Sequence, residues 1–379
     1  MKILSGNSIN REEWSRLVQT SPTGTWFQTP EAFDFFASMP DLFRPFVVAV
    51  ERISGLEVRG LVGVCVGYVT IERNPIKQYF TRRAIIVGGP CLADDCTDEE
   101  VTALMTAVKH SLTHSLIHSP IYIESRNFND YSRWKNAFVK AGFDYVPHLN
   151  FHVDTSSVEI VEANLGKSRK RDIRTTIREG ATITLLSNDG MSREQNSLNE
   201  SHCVFNDEER EQKVREYYEI LNNLYKTKVK TPLFPVEFFL QLSKHKDARF
   251  LLIELKGKII GGTVCVEFRK FNSSIINQQS SNNTDGVVYE WFVCGEDGVY
   301  PHVFPSCYAT YAGMKYAAEH GCVRFDMMGA GKPGEAYGVR DFKAKFGGQE
   351  VEYGRFLCLT KPVLYKLGVL SLKLIKRLL

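Results

Sequence analysis

The sequence predicts an α/β fold with mixed α+β sheets, arranged as two domains and a C-terminal amphipathic helix. A chain of 379 residues is long enough for two domains of ordinary size. Short β-branched runs alternate with segments whose apolar residues recur at helical spacing, which is typical of sheets covered by helices. We expect an N-terminal domain at 1–157, a C-terminal domain at 158–362 and a tail at 363–379.

Composition excludes several classes of protein. Apolar residues make up 43% and charged residues 24%, which is globular rather than disordered or fibrous. The net charge of +3 gives no overall signal for nucleic acid, and we expect no DNA partner. The nine cysteines include no C-x-x-C pair, which disfavours a disulfide framework or a zinc ribbon. With no apolar leader at 1–14 and no run long enough to span a bilayer, we expect a cytoplasmic protein.

The first domain is predicted from short β-branched runs and two helical segments. Thr97 and Glu100 form a capping box that predicts the start of a helix. A second helix is expected at 134–141, ended by Gly142. The predicted strands are 46–50, 61–69, 83–87, 122–124 and 151–153.

The second domain repeats this alternation. Helices are predicted at 164–180, 214–225, 235–242 and 305–320. Strands are predicted at 249–255, 259–268, 287–294 and 323–328. The polar segments 187–210 and 273–285 are predicted to be loops.

The segment Gly329 to Gly334 matches G-x-G-x-x-G and follows a predicted strand. A dinucleotide site also needs a helix that opens there, and Pro333 and Gly338 argue against one. We therefore favour a mobile, substrate-facing loop over a nucleotide-binding turn.

His110, His114 and His118 recur at the spacing of one helix face. They lie opposite the apolar stripe of the same helix, and no carboxylate or cysteine is placed to complete a metal site. We expect a solvated face and no metal.

The segment 338–348 carries the strongest chemical signal, because cations alternate there with apolar residues before a glycine pair. One interpretation is an edge strand or short helix with a wet basic face. The other is that Lys343, flanked by Phe342 and Phe346, lies where negative charge develops during a reaction.

The tail from Leu364 to Leu379 is leucine-rich on one helical face and basic on the other. Such a helix either lies in an anionic membrane interface or docks on its own domain. Peripheral membrane contact through this helix therefore remains open.

The chain resembles the Fem-type aminoacyl and peptidyl transferases and the related GNAT-like acyltransferases. The C-terminal domain carries most of the resemblance, and the N-terminal domain resembles the opening domain of that family. The matching segments are Trp26–Thr29, Gly88–Pro90, Ala141–Phe143, Lys167–Arg174, Tyr217–Tyr218, Pro232, Phe238–Phe239, Lys256–Gly262, the Pro305 helix, Phe325–Asp326 and Phe342–Gly347.

The resemblance implies two tandem GNAT-like domains and transfer of an activated acyl group to an amine. In Fem-type enzymes the acceptor is the stem peptide of a peptidoglycan precursor. The lysine of the family's Phe-Lys pair faces the reacting ester, which assigns Lys343 and Phe342 as catalytic residues. No cofactor is expected. The candidate substrate-binding residues are Arg169, Arg174, Tyr225, Lys228, Tyr289, Glu290, Arg340, Asp341 and Phe346.

The donor is predicted from a departure from the GNAT pattern. GNAT acetyltransferases place a glycine-rich, basic turn before the helix that receives the CoA pyrophosphate. The matching stretch 294–302 holds Glu296 and Asp297 and no arginine, which disfavours a pyrophosphate. We therefore prefer aminoacyl-tRNA, whose phosphates suit the cations of 167–178, unless that helix is only a solvated face.

Two further points stay open at the level of sequence. Glu290 and Asp341 are both candidates for the base that removes a proton from the amine. The alternatives to an aminoacyl transferase are an N-acyltransferase that uses acyl-CoA on an envelope or polysaccharide amine, and a non-catalytic envelope-associated binding protein.

Overall fold

Helices form where helical apolar spacing follows a polar cap. Thr97 and Glu100 make the reciprocal bonds of a capping box, and the helix begins at Asp98. The helices are α1 Arg11–Thr20, α2 Pro30–Ala37, α3 Pro75–Thr81, α4 Asp98–Thr113, α5 Lys135–Lys140, α6 Val158–Asn164, α7 Lys167–Arg178, α8 Asp207–Leu224, α9 Val236–Ser243, α10 Pro305–Glu319, α11 Gly338–Ala344 and α12 Pro362–Leu378. A π-helical turn, Tyr225–Val229, continues α8.

Strands form at the β-branched runs. They are β1 Lys2–Ser5, β2 Phe43–Ser54, β3 Glu57–Thr70, β4 Ala84–Gly88, β5 Cys91–Leu92, β6 Tyr122–Asn127, β7 Asp144–Val146, β8 Leu149–Asp154, β9 Thr182–Leu186, β10 Glu200–Ser201, β11 Ala248–Leu255, β12 Lys258–Phe268, β13 Gly286–Gly295, β14 Cys322–Asp326, β15 Gln349–Glu352 and β16 Arg355–Leu359. The predicted mixed α/β fold is confirmed.

The computed structural model describes residues 1–54, 57–114, 119–188, 200–201, 205–270 and 286–378. His118, Cys203, the predicted loop 273–285 and most of the predicted loop 187–210 lie outside these ranges. Within them the cysteines are free thiols, and no group of three or more His, Cys, Asp or Glu is placed to hold a metal ion. Nor is any helix of these ranges long and apolar enough to cross a bilayer.

The chain divides into two compact units. Unit 1 contains 1–148 together with 352–379, and unit 2 contains 149–351. The sequence placed the division after residue 157 and set the tail apart from 363. The observed division differs because β8 pairs with β14 of unit 2, while β16 returns to pair with β6 and β7 of unit 1.

Unit 1 is built on a sheet with the strand order β1-β2-β3-β4-β6-β16-β7, and β5 pairs with β3. Its core includes Leu104 and Phe138 from the helices that cover the sheet. A half-buried charge cluster joins the returning strand β16 to β6. Arg355 and Arg126 each donate to the carboxylate of Glu124 at 2.8 Å.

Unit 2 is built on a sheet with the strand order β10-β9-β11-β12-β13-β14-β8-β15. Helix α10 packs its buried side chains against the centre of this sheet. In the parallel pair β13–β14, Gly286 lies opposite Cys322, the register then shifts by one residue, and 287–289 lie opposite 324–326. Strand β14 ends at Asp326, whereas β13 continues to Gly295. The two strands therefore part just beyond Tyr289 and Asp326, at the position that the candidate site occupies.

Candidate active site

Lys343 lies on the short helix α11, and its side chain is buried. Its Nζ donates to the carbonyl oxygens of Gly329 at 2.9 Å and Met328 at 3.2 Å, and also to that of Met327. We call these three oxygens the carbonyl cradle. Because an ammonium has three N–H donors, the cradle engages all of them. Lys343 is thus not the wet surface cation of the alternative interpretation, although the segment does form a short helix.

The carbonyl cradle exists because the chain turns sharply where β14 ends. Met328 and Gly329 have positive φ angles of 49° and 77°, which aligns successive carbonyls in one direction. Asp326 accepts from the Met328 N–H at 2.9 Å, and Asn150 accepts from the Gly329 N–H at 3.0 Å. Hydrogen bonds from the backbone to buried side chains therefore hold this turn independently of its contacts with Lys343.

Asp326 is itself held from two sides. Asn150 donates to one carboxylate oxygen at 2.7 Å, and His152 Nε2 lies 3.1 Å from the other. Burial opposes ionisation of Asp326, but the charge and hydrogen bond of His152 outweigh it and hold the pKa of this carboxyl below its usual value. A buried anion consequently stands behind the carbonyl cradle. Of the residues that hold this turn, the resemblance in 'Sequence analysis' included Asp326, in Phe325–Asp326, but neither Asn150 nor His152.

Arg340 precedes Lys343 by one helical turn and holds the glycine-rich segment that follows the cradle. Its guanidinium donates to the carbonyls of Ala330 at 3.0 Å and Glu335 at 2.9 Å, and to that of Lys332. The G-x-G-x-x-G segment therefore does not open a helix. It is a loop held by an arginine, and the expectation that it is mobile and faces the substrate stays a prediction. Arg340 uses its donors on this loop.

Arg169 of α7 meets the two phenylalanines that flank Lys343. Its guanidinium carbon lies 4.4 Å from the ring centre of Phe342 and 5.1 Å from that of Phe346. This stacking, together with a 3.4 Å contact to Asp172, makes Arg169 part of the wall behind the Phe-Lys block. The sequence-predicted residues Arg169, Phe342, Lys343 and Phe346 are thus brought together.

Close backbone packing fixes α11 against the start of α7. The Gly166 N–H donates to the Lys345 carbonyl at 3.0 Å, and a Cβ at Gly166 would stand 2.9 Å from that oxygen. Gly347 has a φ of 78° and approaches the backbone of Asn164, where a Cβ would clash at 2.2 Å. The positive φ and the close approach explain why the Phe-Lys block is followed by a glycine at position 347.

Glu290 follows Tyr289 directly, at the point where β13 leaves β14. It is buried, and neither carboxylate oxygen accepts a hydrogen bond of normal geometry from the described residues. Burial raises the pKa of Glu290, and the charge of Lys343 and the Thr310 hydroxyl only partly oppose this. Asp341, the other candidate base, is exposed on α11. Of the two carboxylates, Glu290 alone faces the interior beside Lys343.

Lys343 and Glu290 influence each other across the site. Burial lowers the pKa of Lys343, while the charges of Glu290 and Asp326 act in the opposite direction. Because removal of a charge from water is costly, each group is stabilised by its neighbours of opposite sign. The arrangement places an amine and a carboxyl group in the same buried region, where each favours the charged form of the other.

The remaining predicted residues are distributed differently. Tyr289 is buried on β13, and Tyr225 is half-buried at the end of α8, where burial raises its pKa to about 12. Arg174 and Lys228 are exposed. The structure gives these two no contact with the Phe-Lys block, so their assignment to substrate binding stays a prediction.

The loop before α10 is acidic, and its carboxylates already accept hydrogen bonds from neighbouring residues. Asp297 accepts from the Ser306 N–H at 3.2 Å, which occupies a donor in the first turn of the helix. Glu296 accepts from Lys258 at 3.1 Å. A neighbouring groove of about 600 Å³ has charged lining residues Glu216, Glu219, Lys228, Lys258, Glu296 and Asp297. The acids predicted to repel a pyrophosphate therefore lie at the start of α10.

Comparison with known proteins places this site in a family context. Residues 284–372 match the model of the FemAB family, a segment that contains Glu290, Asp326 and Lys343. No curated protein sequence matches the chain.

Three solved structures share the fold. The crystal structure of FemX has a TM-score of 0.61 and 14% identity over 97% of this chain and 99% of its own. The C-terminal domain of a putative lysylphosphatidylglycerol synthetase from Agrobacterium fabrum has a TM-score of 0.51 and 11% identity, with coverage of 94% and 93%. L-PGS from Bacillus licheniformis has a TM-score of 0.50 and 11% identity, with 98% of both chains covered. The predicted resemblance to the Fem-type transferases, with their GNAT-like fold, is therefore confirmed.

Proposed function

We propose that this protein is an aminoacyl transferase of cell-envelope biosynthesis, which moves an aminoacyl group from aminoacyl-tRNA to an amine of an envelope precursor such as a peptidoglycan stem peptide. One observation carries the proposal: Lys343 and Glu290 are both buried where β13 and β14 part, close enough for the charge of each to affect the pKa of the other. The FemAB match over this segment supports the assignment to an acyltransferase.

In the proposed reaction, the acceptor amine loses a proton to the carboxylate of Glu290 as its nitrogen attacks the ester carbonyl of the donor. The carbonyl oxygen gains negative charge, and the Lys343 ammonium stabilises it. The longest bond of the carbonyl cradle, 3.2 Å to Met328, is the one that this oxygen replaces. Collapse of the intermediate breaks the ester bond, and the departing ribose oxygen takes the proton that Glu290 holds. No protein nucleophile is needed, so the chain's part is to position, stabilise and move a proton.

The acidic loop before α10 favours aminoacyl-tRNA over acyl-CoA. A CoA pyrophosphate would have to displace the carboxylate of Asp297 from the Ser306 N–H and lie beside Glu296. Exposed cations on α7, including Arg171 and Arg174, offer RNA phosphates a partner instead. An N-acyltransferase that uses acyl-CoA remains the alternative enzymatic assignment.

A non-catalytic binding protein is the second candidate function, and one observation favours it. All three donors of Lys343 are engaged by the carbonyl cradle, so a substrate oxygen must displace a bond that already exists. A protein that retains the fold and binds an envelope precursor without transfer would leave the cradle closed.

Donor protection and product mass separate these functions. In one experiment, the unfolding temperature of the protein is measured with charged tRNA, uncharged tRNA or acetyl-CoA. In a second, fresh protein is incubated with each donor and a peptidoglycan precursor, and the mass of the precursor is measured. The proposal expects charged tRNA to raise the unfolding temperature and the precursor to gain the mass of one aminoacyl residue. A gain of an acetyl group would support the N-acyltransferase instead. Protection without a mass gain from any donor would contradict transfer and support binding alone.

A further inference from the structure

Helix α3 attaches to unit 1 by a polar residue and presents its apolar residues outward. Gln78 is buried and donates to the Thr70 carbonyl at 2.9 Å, while its side-chain oxygen accepts from the Glu72 N–H. Ile76 is 71% exposed and Phe80 is 57% exposed. This arrangement is the reverse of an ordinary surface helix, which buries its apolar face.

The beginning of α12 lies beside α3 in the same unit. Lys361, which immediately precedes α12, places its Nζ 4.5 Å from the ring centre of Tyr79. Tyr365 packs against Tyr122 of β6 and so anchors the first turn of α12. Val363, on that first turn, is 71% exposed. We call the exposed apolar residues of these two helices the α3–α12 surface, which comprises Ile76, Tyr79, Phe80, Val363, Leu367 and Leu370.

The two sequence segments that contain this surface are rich in positive charge. The sequence segments 73–83 and 361–379 contain nine Lys and Arg residues and no Asp or Glu. Since the whole chain carries +3, the remainder carries −6. These two segments therefore carry a local excess of positive charge on a chain whose remainder is net negative.

We propose that the α3–α12 surface binds the anionic surface of a lipid bilayer. Exposed aliphatic side chains such as Ile76 and Val363 gain by burial among acyl chains but have no ring to stack on a nucleic-acid base. Tyr79 and Phe80 are suited to the boundary between headgroups and acyl chains. The cations of the segments 73–83 and 361–379 are attracted by anionic headgroups. The combination fits a lipid surface better than RNA or an acidic protein, which would use the cations alone.

This inference does not depend on the proposed transferase activity, because vesicle binding is measured without a donor or acceptor. It also goes beyond an amphipathic tail, since it assigns part of the binding to α3. The α3 contribution separates the two hypotheses: a tail acting alone would bind with or without Ile76 and Phe80.

The test is sedimentation of the full chain with vesicles of phosphatidylglycerol and phosphatidylcholine, and with vesicles of phosphatidylcholine alone. We expect binding to the anionic vesicles that weakens with salt. Loss of two exposed apolar side chains in Ile76→Ser/Phe80→Ser should reduce partitioning by at least about tenfold. The matched control is Val299→Ser, which removes an apolar side chain of 61% exposure from unit 2 and should leave binding unchanged.

A second measurement does not depend on loss of binding. In Phe80→Trp the indole replaces an exposed ring, and its emission should shift to shorter wavelength when anionic vesicles are added. An unchanged emission spectrum, or equal partitioning of Ile76→Ser/Phe80→Ser and the parent chain, would overturn the proposal. Equal binding to neutral vesicles, or binding of RNA in place of vesicles, would overturn it as well.

Discussion

Replacement of Lys343 by Met tests the central claim about the site, because it removes the ammonium and keeps most of the side-chain volume. Loss of one donor to a developing oxyanion lowers turnover by about 10²-fold or more. The same change leaves three carbonyls of Met327, Met328 and Gly329 without their donor. At about 1 kcal/mol or more for each buried unpaired group, we expect a loss of roughly 3 kcal/mol in unfolding free energy. For a unit of this size that corresponds to about 10 °C in Tm.

The assay must distinguish lost chemistry from lost folding. Turnover is measured with charged tRNA and precursor at a temperature where circular dichroism finds each variant folded. Arg340→Met is the matched control, since Arg340 lies on the same helix as Lys343 and also donates to three backbone carbonyls. We expect Arg340→Met to lower Tm and to affect KM more than kcat. If folded Lys343→Met turns over as fast as folded Arg340→Met, the ammonium does not stabilise the reacting ester and the site assignment fails.

Two predictions concern pH. Because burial raises the pKa of Glu290, kcat/KM should rise with pH above the usual titration range of a glutamate, as this base loses its proton. Glu290→Gln should lower the rate and abolish this rise. If the rise persists in Glu290→Gln, Glu290 is not the base. Burial opposes the ionisation of Glu124, but Arg126 and Arg355 outweigh it and lower its pKa to about 2. The unfolded state therefore takes up the proton first, so stability is complete above the ordinary value of 4.5 and is lost as pH falls toward 2, by roughly 3 kcal/mol in total. Urea unfolding at descending pH should detect this loss in the parent chain and a flatter profile in Glu124→Gln; equal profiles would contradict the assigned ion pairs.

The sequence predicted helices and strands that are determined by residues within the element itself or next to it. The capping box at Thr97 begins α4, and the β-branched runs form strands within a few residues of their expected bounds. Helix α3 is not among the helices predicted from the sequence. Asn74, whose side chain caps the helix, and Pro75 at its first position were the available signal.

Features that depend on distant partners could not be predicted in this way. The strand β16 joins unit 1 because it pairs with β6, and nothing in 355–359 itself indicates that partner. The carbonyl cradle consists of backbone oxygens, which every residue carries, so no residue type marks it. Only the side chain of Lys343 was visible in the sequence: the alternation of cations with apolar residues marked its segment, and the resemblance to a family assigned its role.

Cations that look alike in the sequence have different physical roles in the structure. The side chains of Lys343 and Arg340 donate hydrogen bonds to backbone carbonyls, and Arg169 stacks on two phenylalanines. A count of basic residues therefore overstates the charge that α7 and α11 offer to a substrate. Arg174, which is exposed on α7, remains available to RNA phosphates, whereas substitution of Arg169 would disturb the packing of the Phe-Lys block as well as any RNA contact. Weakened tRNA binding by an Arg169 variant alone would consequently not locate the RNA, and an effect at Arg174 would.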